Sequence, residues 1–585
     1  MTDAPVLGVT SSATGRRWRL RAGDPDLARE IERQLELPGV VAGVLAARVN
    51  SLEEAELYLS PRLRDALPDP SHLLDMDKAI ARVAAALDAG EQIAILADYD
   101  VDGATSGALL RRIFRGLGAE PLIYVPDRER EGYGPNPGAM QSLKDQGASL
   151  VITVDCGATA FEAIDAANAL GLEVIILDHH VGADETPNAL AVVNPNRADE
   201  TSPYQQLAAV GVCFLFAIGL NRHLRAAGQT EIDLMALLDL VALGTVADVA
   251  SLTGVNRALV AQGLKVMSAR RNPGIDALLN VASVTDALRP YHLGFMLGPR
   301  INAGGRIGDS RAGLELLSTE DYGAAEALAQ TLDGLNRERQ EIEARVIDEA
   351  TPLAEAQAAE GVPIIAVSGE GWRQGVVGIV ASRMAERFER PALVAALENG
   401  IAVGSGRSVS GVDLGPAIIR MREAGLLTSG GGHAMAAGFR CSADGFEAFT
   451  LALSEALADD VAVARTKRGY SLDGVVGPAA ALEVAESLER LQPFGAGNPE
   501  PRFVLAGVRL EHAALIKDAH YRLRFTGADG TAMQAMAFRA AGRPLGDFLE
   551  NSKGTVIHLA GRVEIDTWRG GREALMIVED AASAN

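Results

Sequence analysis

The sequence has little cysteine, few aromatic residues and no long apolar run, and each shortage excludes a class of protein. The three cysteines, Cys156, Cys213 and Cys441, fit neither a disulfide framework nor a zinc-binding pattern. No uncharged apolar run reaches the roughly 18 residues of a transmembrane helix. No basic segment followed by an apolar one opens the chain, so we expect a cytoplasmic protein without membrane attachment. Aromatic residues make up 4%, so platforms for stacking bases are few.

Positive charge is also scarce. Lys and Arg number 54 against 77 Asp and Glu, which gives a formal net charge of −23. This balance argues against a nucleic-acid partner, because phosphate binding needs cations. Binding depends on the local lining of a groove, however, so a nucleic-acid-binding interpretation requires a basic groove within an acidic protein.

The length and composition fit a multidomain α/β protein. At 585 residues the chain exceeds the size of single cores, and 48% hydrophobic residues with 62 glycines suit an ample core with many turns. No repeat of 20–50 residues and no low-complexity tract is present.

Acidic and histidine side chains follow three apolar runs that predict buried parallel strands. Because ligands bind at the carboxyl ends of parallel strands, we expect these side chains at one edge of a sheet. A further acid, Asp248, follows the apolar residues 240–247. The runs and the residues after them are Ile93–Ala97 with Asp98, Asp100 and Asp102, Leu150–Val154 with Asp155, and 174–177 with Asp178, His179 and His180.

This set of side chains predicts a site for divalent cations. Carboxylates are hard ligands for Mg²⁺ or Mn²⁺, and imidazole favours Mn²⁺. Several acids at one rim repel each other unless cations lie between them. Two ions about 3.5–4 Å apart supply that charge and clamp a displacement at phosphorus. A single Asp after a strand is more often a helix N-cap, but the joint occurrence favours a metal site.

These segments carry a family resemblance. Residues 98–103, 154–157, 178–180 and 244–249 are similar to the four metal motifs of the DHH phosphoesterases. Residues 299–306 and 430–438 resemble signatures of RecJ-type exonucleases, which are bacterial, single-strand-specific 5′-exonucleases. The resemblance extends from about Leu57 to the C-terminus in the family's order. The family usually shows Trp-His before Gly-Val-Val-Gly-Ile, whereas this chain has Trp372-Arg373.

The resemblance and the strand pattern imply an α/β fold class: two α/β domains with mainly parallel sheets (DHH and DHHA1), joined by a long helix, plus a C-terminal OB-like β-barrel. The charged segment 319–360 could also be an ordinary surface helix. We expect five regions: an N-terminal helical and basic segment at 1–55, a DHH catalytic domain at 56–318, the connecting helix at 319–360, a DHHA1 substrate-binding domain at 361–465 and an OB-fold-like single-strand-binding domain at 466–585.

Roles for the metal site follow from spacing weighed against the family pattern. Asp155 is expected to bridge two ions, with Asp100 on one ion and with Asp102, His179 and Asp248 on the other. Asp98 is either a further ligand or a turn cap. His180 is expected to be a catalytic residue that contacts the phosphate rather than a metal ion.

Substrate contacts are predicted on later loops. Arg300, Asn302 and Arg306 suit phosphate contacts, although one arginine could instead pair with a carboxylate. By resemblance, Ser405, Arg407 and His433 form a pocket for a terminal phosphate, although His433 could be a satisfied loop histidine. Tyr133 could stack or pack, and Arg373 could contact phosphate. Barrel residues that could contact a single strand, or pack instead, are Tyr521, Arg522, Arg524, Phe538, Arg539, Trp568, Arg569 and Arg572.

The resemblance implies a single-stranded-DNA-specific 5′→3′ exonuclease that releases 5′-mononucleotides by two-metal hydrolysis with Mn²⁺ or Mg²⁺. It also implies work in recombination and repair, a helicase and a single-strand-binding protein as partners, and a monomer. One alternative is another DHH phosphodiesterase, a nanoRNase or cyclic-dinucleotide hydrolase, although those enzymes generally lack the barrel. Another is a non-catalytic DNA-binding scaffold, which would have lost the acids.

Overall fold

The computed structural model describes residues 4–128, 130–467, 469–566 and 572–584. Its contacts divide the chain into two units. The barrel unit comprises the described residues of Met1–Asp69, Val249–Lys265 and Arg468–Asn585, and the two-sheet unit comprises those of Pro70–Asp248 and Val266–Lys467. Within the described ranges, no helix has the length and apolar character needed to cross a membrane.

The strands and helices are numbered in chain order. The strands are β1 (Arg17–Leu20), β2 (Ile93–Ala97), β3 (Leu122–Tyr124), β4 (Leu150–Val154), β5 (Glu173–Leu177), β6 (Ala191–Val193), β7 (Ile365–Glu370), β8 (Ala392–Glu398), β9 (Ile401–Arg407), β10 (Ser429–Gly432), β11 (Ala436–Ser442), β12 (Gly469–Leu472), β13 (Gly474–Val476), β14 (Phe503–Ile516), β15 (His520–Thr526), β16 (Ala532–Ala537), β17 (Val556–Asp566) and β18 (Glu573–Ser583). The helices are α1 (Pro25–Leu35), α2 (Gly39–Ala46), α3 (Leu52–Leu59), α4 (Leu63–Ala66), α5 (Met76–Ala89), α6 (Val101–Gly116), α7 (Pro137–Asp145), α8 (Phe161–Ala169), α9 (Ala209–Ala226), α10 (Leu238–Ala247), α11 (Gly254–Ser268), α12 (Pro273–Val281), α13 (Gly298–Ile307), α14 (Ala312–Ser318), α15 (Tyr322–Glu360), α16 (Gln374–Phe388), α17 (Leu414–Glu423), α18 (Phe446–Thr466), α19 (Ala481–Leu488) and α20 (Pro544–Asn551).

The first sheet is parallel throughout, with the strand order β3-β2-β4-β5-β6. β2 and β4 are buried along their whole length, and β5 is buried after Glu173. Strands covered on both faces explain why the sequence shows continuous apolar runs rather than alternation. The predicted strands are confirmed, and their carboxyl ends lie at one edge of the sheet.

The second sheet has the order β10-β11-β9-β8-β7 and is mixed. Only the β7–β8 pair is parallel, which corrects the expectation of a mainly parallel sheet in this domain. The cause is the turn Asn399-Gly400 between β8 and β9, where φ is 50° and 75°. Positive φ at both positions of an Asn-Gly pair is typical of a two-residue hairpin, which forces antiparallel neighbours.

The long helix α15 contains 39 residues and contacts both halves of the two-sheet unit. Asp321 is its N-cap and accepts a hydrogen bond from the Ala324 amide, and Gly361, with φ 81°, is its C-cap. Leu332, Ile342 and Val346 lie on its buried face. α15 therefore joins the two α/β domains, as predicted, and one of its faces is part of the core.

The main sheet of the barrel unit has the order β13-β14-β15-β16-β18-β17. The pairing of β14 with β17 closes its last five strands into a barrel. This confirms the OB-like barrel. β1 pairs with β12, and the buried Trp18 donates from Nε1 to Asp580 Oδ2 at 2.9 Å. The basic N-terminal segment thus folds within the barrel unit. Trp568 and Arg569 lie outside the described residues.

Candidate metal centre

The first group of acids lies between β2 and α6. Asp100 is the N-cap of α6, since its Oδ1 accepts from the amides of Asp102 at 2.9 Å and Gly103 at 3.1 Å. Asp98 is buried, and its Oδ1 has no hydrogen-bond partner among the described residues. A Cβ on Gly103 would lie 2.3 Å from the Asp98 carbonyl oxygen. Glycine at 103 therefore allows the helix to begin next to the acids.

Asp155 follows β4 in a strained backbone conformation, with φ 60°. The Tyr133 hydroxyl donates to the Asp155 carbonyl oxygen at 2.9 Å and lies 3.2 Å from His180 Nδ1. A non-glycine residue in the left-handed region is uncommon and clusters at functional sites. The Tyr133 hydroxyl therefore has a structural contact with the backbone of Asp155.

Asp178 orients the two histidines that follow β5. Its Oδ2 accepts from the Ala158 amide at 2.9 Å, and its Oδ1 accepts from the His179 amide at 2.7 Å. The same Oδ1 lies 2.8 Å from His180 Nδ1. Asn194 donates to the His180 carbonyl oxygen at 2.8 Å. Sequence reasoning missed these roles, although Asp178 is part of the motif and Asn194 directly follows β6.

Asp102 and Asp248 come from helices. The two oxygens of Asp102 accept from the amides of Ala209 at 2.6 Å and Val210 at 2.9 Å, at the positive N-terminal end of α9. Asp248 follows α10. Glycine at 244 lets α10 approach α6 closely, since a Cβ at this position would lie 2.9 Å from Asp102 Oδ1.

The predicted side chains converge. His179 Nε2 lies 3.3 Å from Asp155 Oδ1 and 3.8 Å from Asp102 Oδ2, and His179 Nδ1 lies 3.8 Å from Asp248 Oδ2. The side chains form three groups, and within each group the possible ligand atoms lie within 4.8 Å of one another. The groups are Asp98, Asp100 and Asp155; Asp102, His179 and Asp248; and Asp155, His179 and His180.

The electrostatics of this cluster require positive charge. Burial, together with neighbouring carboxylates, raises the pKa of Asp98, Asp102 and Asp155 well above the usual range. Burial and Asp100 raise the pKa of Asp248 to about 7. Burying several carboxylates together is unfavourable unless a cation compensates them.

The donor set fits divalent cations. In the described part of the chain, Asp98 Oδ1, Asp155 Oδ1 and His179 Nε2 are buried without a hydrogen-bond partner. Burial and His180 lower the pKa of His179 to about 4, so its imidazole is neutral and able to ligate. Buried carboxylate and imidazole atoms without partners are the ligands that Mn²⁺ and Mg²⁺ sites use.

His180 differs from His179 in charge. Burial by itself lowers its pKa, but the hydrogen bond and charge of Asp178, with Asp248 and Asp100, raise the pKa of His180 to about 9. His180 is therefore cationic at neutral pH and is suited to contact a phosphate oxygen.

A group of arginines lies in the two-sheet unit. Burial and the nearby cations Arg128, Arg339 and Arg407 lower the pKa of Arg306 to about 10. Arg306 Nη1 donates to the Gly375 carbonyl oxygen at 2.8 Å, and Arg128 lies over the Tyr99 ring at 5.3 Å. The acidic chain thus contains local positive charge. Sequence reasoning missed Arg128; its only signal was its place after β3, at the same sheet edge as the acids.

Arg300 and Asn302 have different surroundings. Arg300 Nε donates to Asp333 Oδ1 at 2.9 Å, and Arg300 Nη1 donates to the Met296 carbonyl oxygen at 2.7 Å. This is the carboxylate pairing that the sequence left open for one of the two arginines. Asn302 is half-buried and lines a groove of about 490 Å³ together with Arg306.

Ser405 and Arg407 lie on the same face of β9 above Gly378. A Cβ at 378 would lie 3.3 Å from Ser405 Oγ and 3.2 Å from Arg407 Nη2. His433 lies in the exposed turn between β10 and β11, where its amide donates to the Ala436 carbonyl oxygen. Arg373 is exposed at the start of α16 and lines a cavity of about 630 Å³ with Arg128 and Arg306.

Comparison with known protein families gives three matches. The profile of the DHH family N-terminal domain matches residues 92–245, that of the DHHA1 domain matches 361–459 and that of the RecJ OB domain matches 473–580. The three matches follow the order of the first sheet, the second sheet and the barrel.

Individual relatives match over nearly the whole chain. The single-stranded-DNA-specific exonuclease RecJ of Escherichia coli (strain K12) is 36% identical over 573 residues, which cover 93% of this chain and 96% of the relative. The crystal structure of RecJ in complex with Mn²⁺ from Thermus thermophilus superposes with a TM-score of 0.79 at 30% identity, covering 97% of this chain and 79% of that one. The Mg²⁺ complex from the same organism gives 0.74 at 29% identity, covering 97% and 78%.

Proposed function

This chain belongs to the RecJ family of single-stranded-DNA-specific exonucleases, and we propose that it degrades single-stranded DNA from the 5′ end, releasing 5′-mononucleotides by metal-dependent hydrolysis. The observation that carries the proposal is the convergence of buried carboxylates and His179, with atoms lacking partners, at one edge of the first sheet.

Two divalent ions, Mn²⁺ or Mg²⁺, are proposed to bind at this edge. Asp98, Asp100 and Asp155 would hold one ion, and Asp102, His179 and Asp248 would hold the other, with Asp155 shared between them. When bound, such ions lower the pKa of water and neutralise charge at phosphorus. The distance of 3.3 Å between Asp155 Oδ1 and His179 Nε2 supports the shared role.

The protein's own cations are proposed to position the DNA. His180, held by Asp178, donates a hydrogen bond to the scissile phosphate, beside Tyr133. Backbone phosphates are contacted by Arg306, Asn302, Arg373 and Arg300. The ion pair with Asp333 limits the contribution of Arg300. Arg306 and Arg373 line one cavity with Arg128, and these three arginines supply the basic region that this acidic chain requires.

A terminal-phosphate pocket is proposed on the second domain. Ser405 and Arg407, with His433, would hold the phosphate that ends the strand, and a fixed distance from the metal centre would measure one nucleotide per cut. The adjacent side chains of Ser405 and Arg407 above Gly378 support this role.

The wider setting is also proposed. The DHH region at 56–318 is proposed as the catalytic domain, the DHHA1 region at 361–465 as the substrate-binding domain and the barrel region at 466–585 as the single-strand-binding domain. The N-terminal segment at 1–55 belongs to the barrel unit, and the helix at 319–360 connects the two α/β domains. A cytoplasmic monomer that acts in recombination and repair with a helicase and a single-strand-binding protein fits the family.

End-labelled oligonucleotides test the function. With Mn²⁺, we expect labelled mononucleotide to appear first from 5′-labelled single strands, with little release from duplexes and none from an Asp155→Ala variant. Hydrolysis confined to very short oligomers or cyclic dinucleotides would instead identify another DHH phosphodiesterase. Binding without any hydrolysis would identify a DNA-binding scaffold.

A further inference from the structure

Two aromatic side chains form an exposed stacked pair in the two-sheet unit. The rings of Tyr291 and Phe295 have centroids 5.3 Å apart and an interplanar angle of 24°. Their exposed fractions are 61% and 73%. In a chain with only 4% aromatic residues, two adjacent large rings in solvent indicate an interaction surface rather than a packing element.

The pair continues one face of α13. A π-helical segment, His292–Leu297, leads directly into α13, and Tyr291, Phe295, Pro299, Asn302 and Arg306 recur at intervals of three or four residues. Such residues lie on one side of a helix. π-helical turns within helices are frequent at functional sites. The stripe therefore leads from the aromatic pair to a predicted phosphate-contacting arginine.

The same stripe lines a positively charged groove. Phe295, Asn302 and Arg306 line the space of about 490 Å³ opposite Arg339 of α15 and Arg383 of α16. Glu343 also lines it and pairs with Arg339 at 2.7 Å and with Arg383 at 3.5 Å. Three arginines against one glutamate complement the charge of a phosphate backbone.

The helix that carries the stripe packs against the helix that precedes Asp248. Gly294 and Gly298 pack on the end of α10. A Cβ added at Gly294 would lie 3.5 Å from Val246 Cγ1, and one added at Gly298 would lie 3.5 Å from Ala247 Cβ. Asp248 is the next residue of the chain after α10. At the other end of the stripe, Arg306 lines both this groove and the cavity of about 630 Å³ with Arg128. A strand held in the groove would thus be continuous with the proposed phosphate contacts.

We propose that Tyr291 and Phe295 form a platform on which bases of single-stranded DNA stack while Arg306, Arg339 and Arg383 hold its backbone. The inference rests on the proposed function and adds a base-binding site to it. Aromatic rings stack on any base, so the platform grips a strand without reading its sequence. Paired bases of a duplex cannot present their faces in this way, so the platform favours unpaired DNA.

Binding measured without hydrolysis tests the platform. Fluorescence anisotropy with labelled oligothymidylates, in chelator and without divalent ions, is compared for the wild type and the double variant Tyr291→Ala/Phe295→Ala. We expect affinity to fall about 5- to 100-fold. The conservative Tyr291→Phe/Phe295→Trp variant should retain wild-type affinity. Tyr322→Ala, which removes a ring of similar exposure (60%) at the start of α15, should also bind normally.

Oligonucleotides with single abasic positions separate stacking from other effects. The wild type should lose affinity when one particular base is missing, and the double alanine variant should be indifferent to that loss. Unchanged affinity of the alanine variant for intact strands overturns the proposal and leaves a protein partner as the occupant. The proposal is also overturned if the alanine variant binds intact strands and abasic strands more weakly than the wild type does by the same factor. If the wild type itself neither binds nor degrades single strands, the proposed function fails rather than the platform alone.

Discussion

At the residue scale, Asp178 supports the metal centre without belonging to the proposed ligand set. Its carboxylate accepts from the amides of Ala158, His179 and His180, and it faces His180 Nδ1. Asp178→Asn replaces one acceptor oxygen by an NH₂ group, so we expect Mn²⁺-dependent hydrolysis to fall about 10- to 100-fold. Steady-state rates on a labelled single strand measure this. The exposed Asp459→Asn serves as the control, and an unchanged rate for Asp178→Asn would refute the orienting role.

Asp239 gives a prediction for stability against pH. Burial raises the pKa of this carboxyl to about 6, above its value of about 4 in an unfolded chain. The folded protein therefore holds this proton more tightly, and stability falls as pH rises from 4 to 6. At pH 8, Asp239→Asn should increase the free energy of unfolding by up to about 3 kcal/mol and raise the unfolding temperature accordingly. The Leu240 amide can still donate to the asparagine Oδ1.

Thermal unfolding across pH 4 to 8 measures the Asp239 effect. The difference between the variant and the wild type should shrink towards pH 4, where the wild-type carboxyl is protonated in the folded state and about half protonated in the unfolded chain. Asp459→Asn should show no such trend. A difference that is constant with pH would contradict the account.

Site residues could be predicted where local order carried the signal. Asp98 and Asp155 directly follow an apolar run, and His179 lies one residue further on, so the strand-end argument located them. Arg128 has no such marker, because its importance depends on Arg306 and Arg407, which are distant in sequence. The Arg300–Asp333 pair likewise becomes visible only when α13 and α15 pack together.

At the element scale, the close approach of α10 to α6 depends on Gly244. A Cβ at this position would lie 2.2 Å from Thr105 Oγ1 and 2.9 Å from Asp102 Oδ1. Gly244→Ala should therefore cost about 1–3 kcal/mol of stability and weaken Mn²⁺ binding by displacing Asp248. Gly334→Ala on α15 meets nothing within 4 Å and should be neutral or slightly stabilising. Equal behaviour of the two variants in thermal unfolding and Mn²⁺ titration would contradict this packing argument.

Elements could be predicted where periodicity was local. The strands β2 and β4 and the long helix α15 were predicted because their patterns lie within single segments. The antiparallel β8–β9 pair was missed although Asn399-Gly400 is a hairpin signal. The pairing of β1 with β12 joins residues about 450 positions apart, and no local pattern encodes such a contact.

At the scale of the whole molecule, the net charge of −23 coexists with the arginines around Arg306. If Arg128 contacts one phosphate, Arg128→Gln should reduce the slope of log affinity against log salt by about 0.7. Anisotropy titrations of a single strand over a salt series measure the slope. The exposed Arg271→Gln should leave it unchanged. An unaltered slope for Arg128→Gln would remove Arg128 from the proposed interface.

Direct counting of Mn²⁺ ions tests the central claim that the acids and His179 cage two cations. Equilibrium dialysis of the wild-type chain and of Asp155→Asn against Mn²⁺ gives the number bound per chain. We expect two ions for the wild type and a loss of tight binding for Asp155→Asn, since this carboxylate is shared. A wild-type chain that binds no Mn²⁺, or binding that Asp155→Asn leaves intact, would contradict the account.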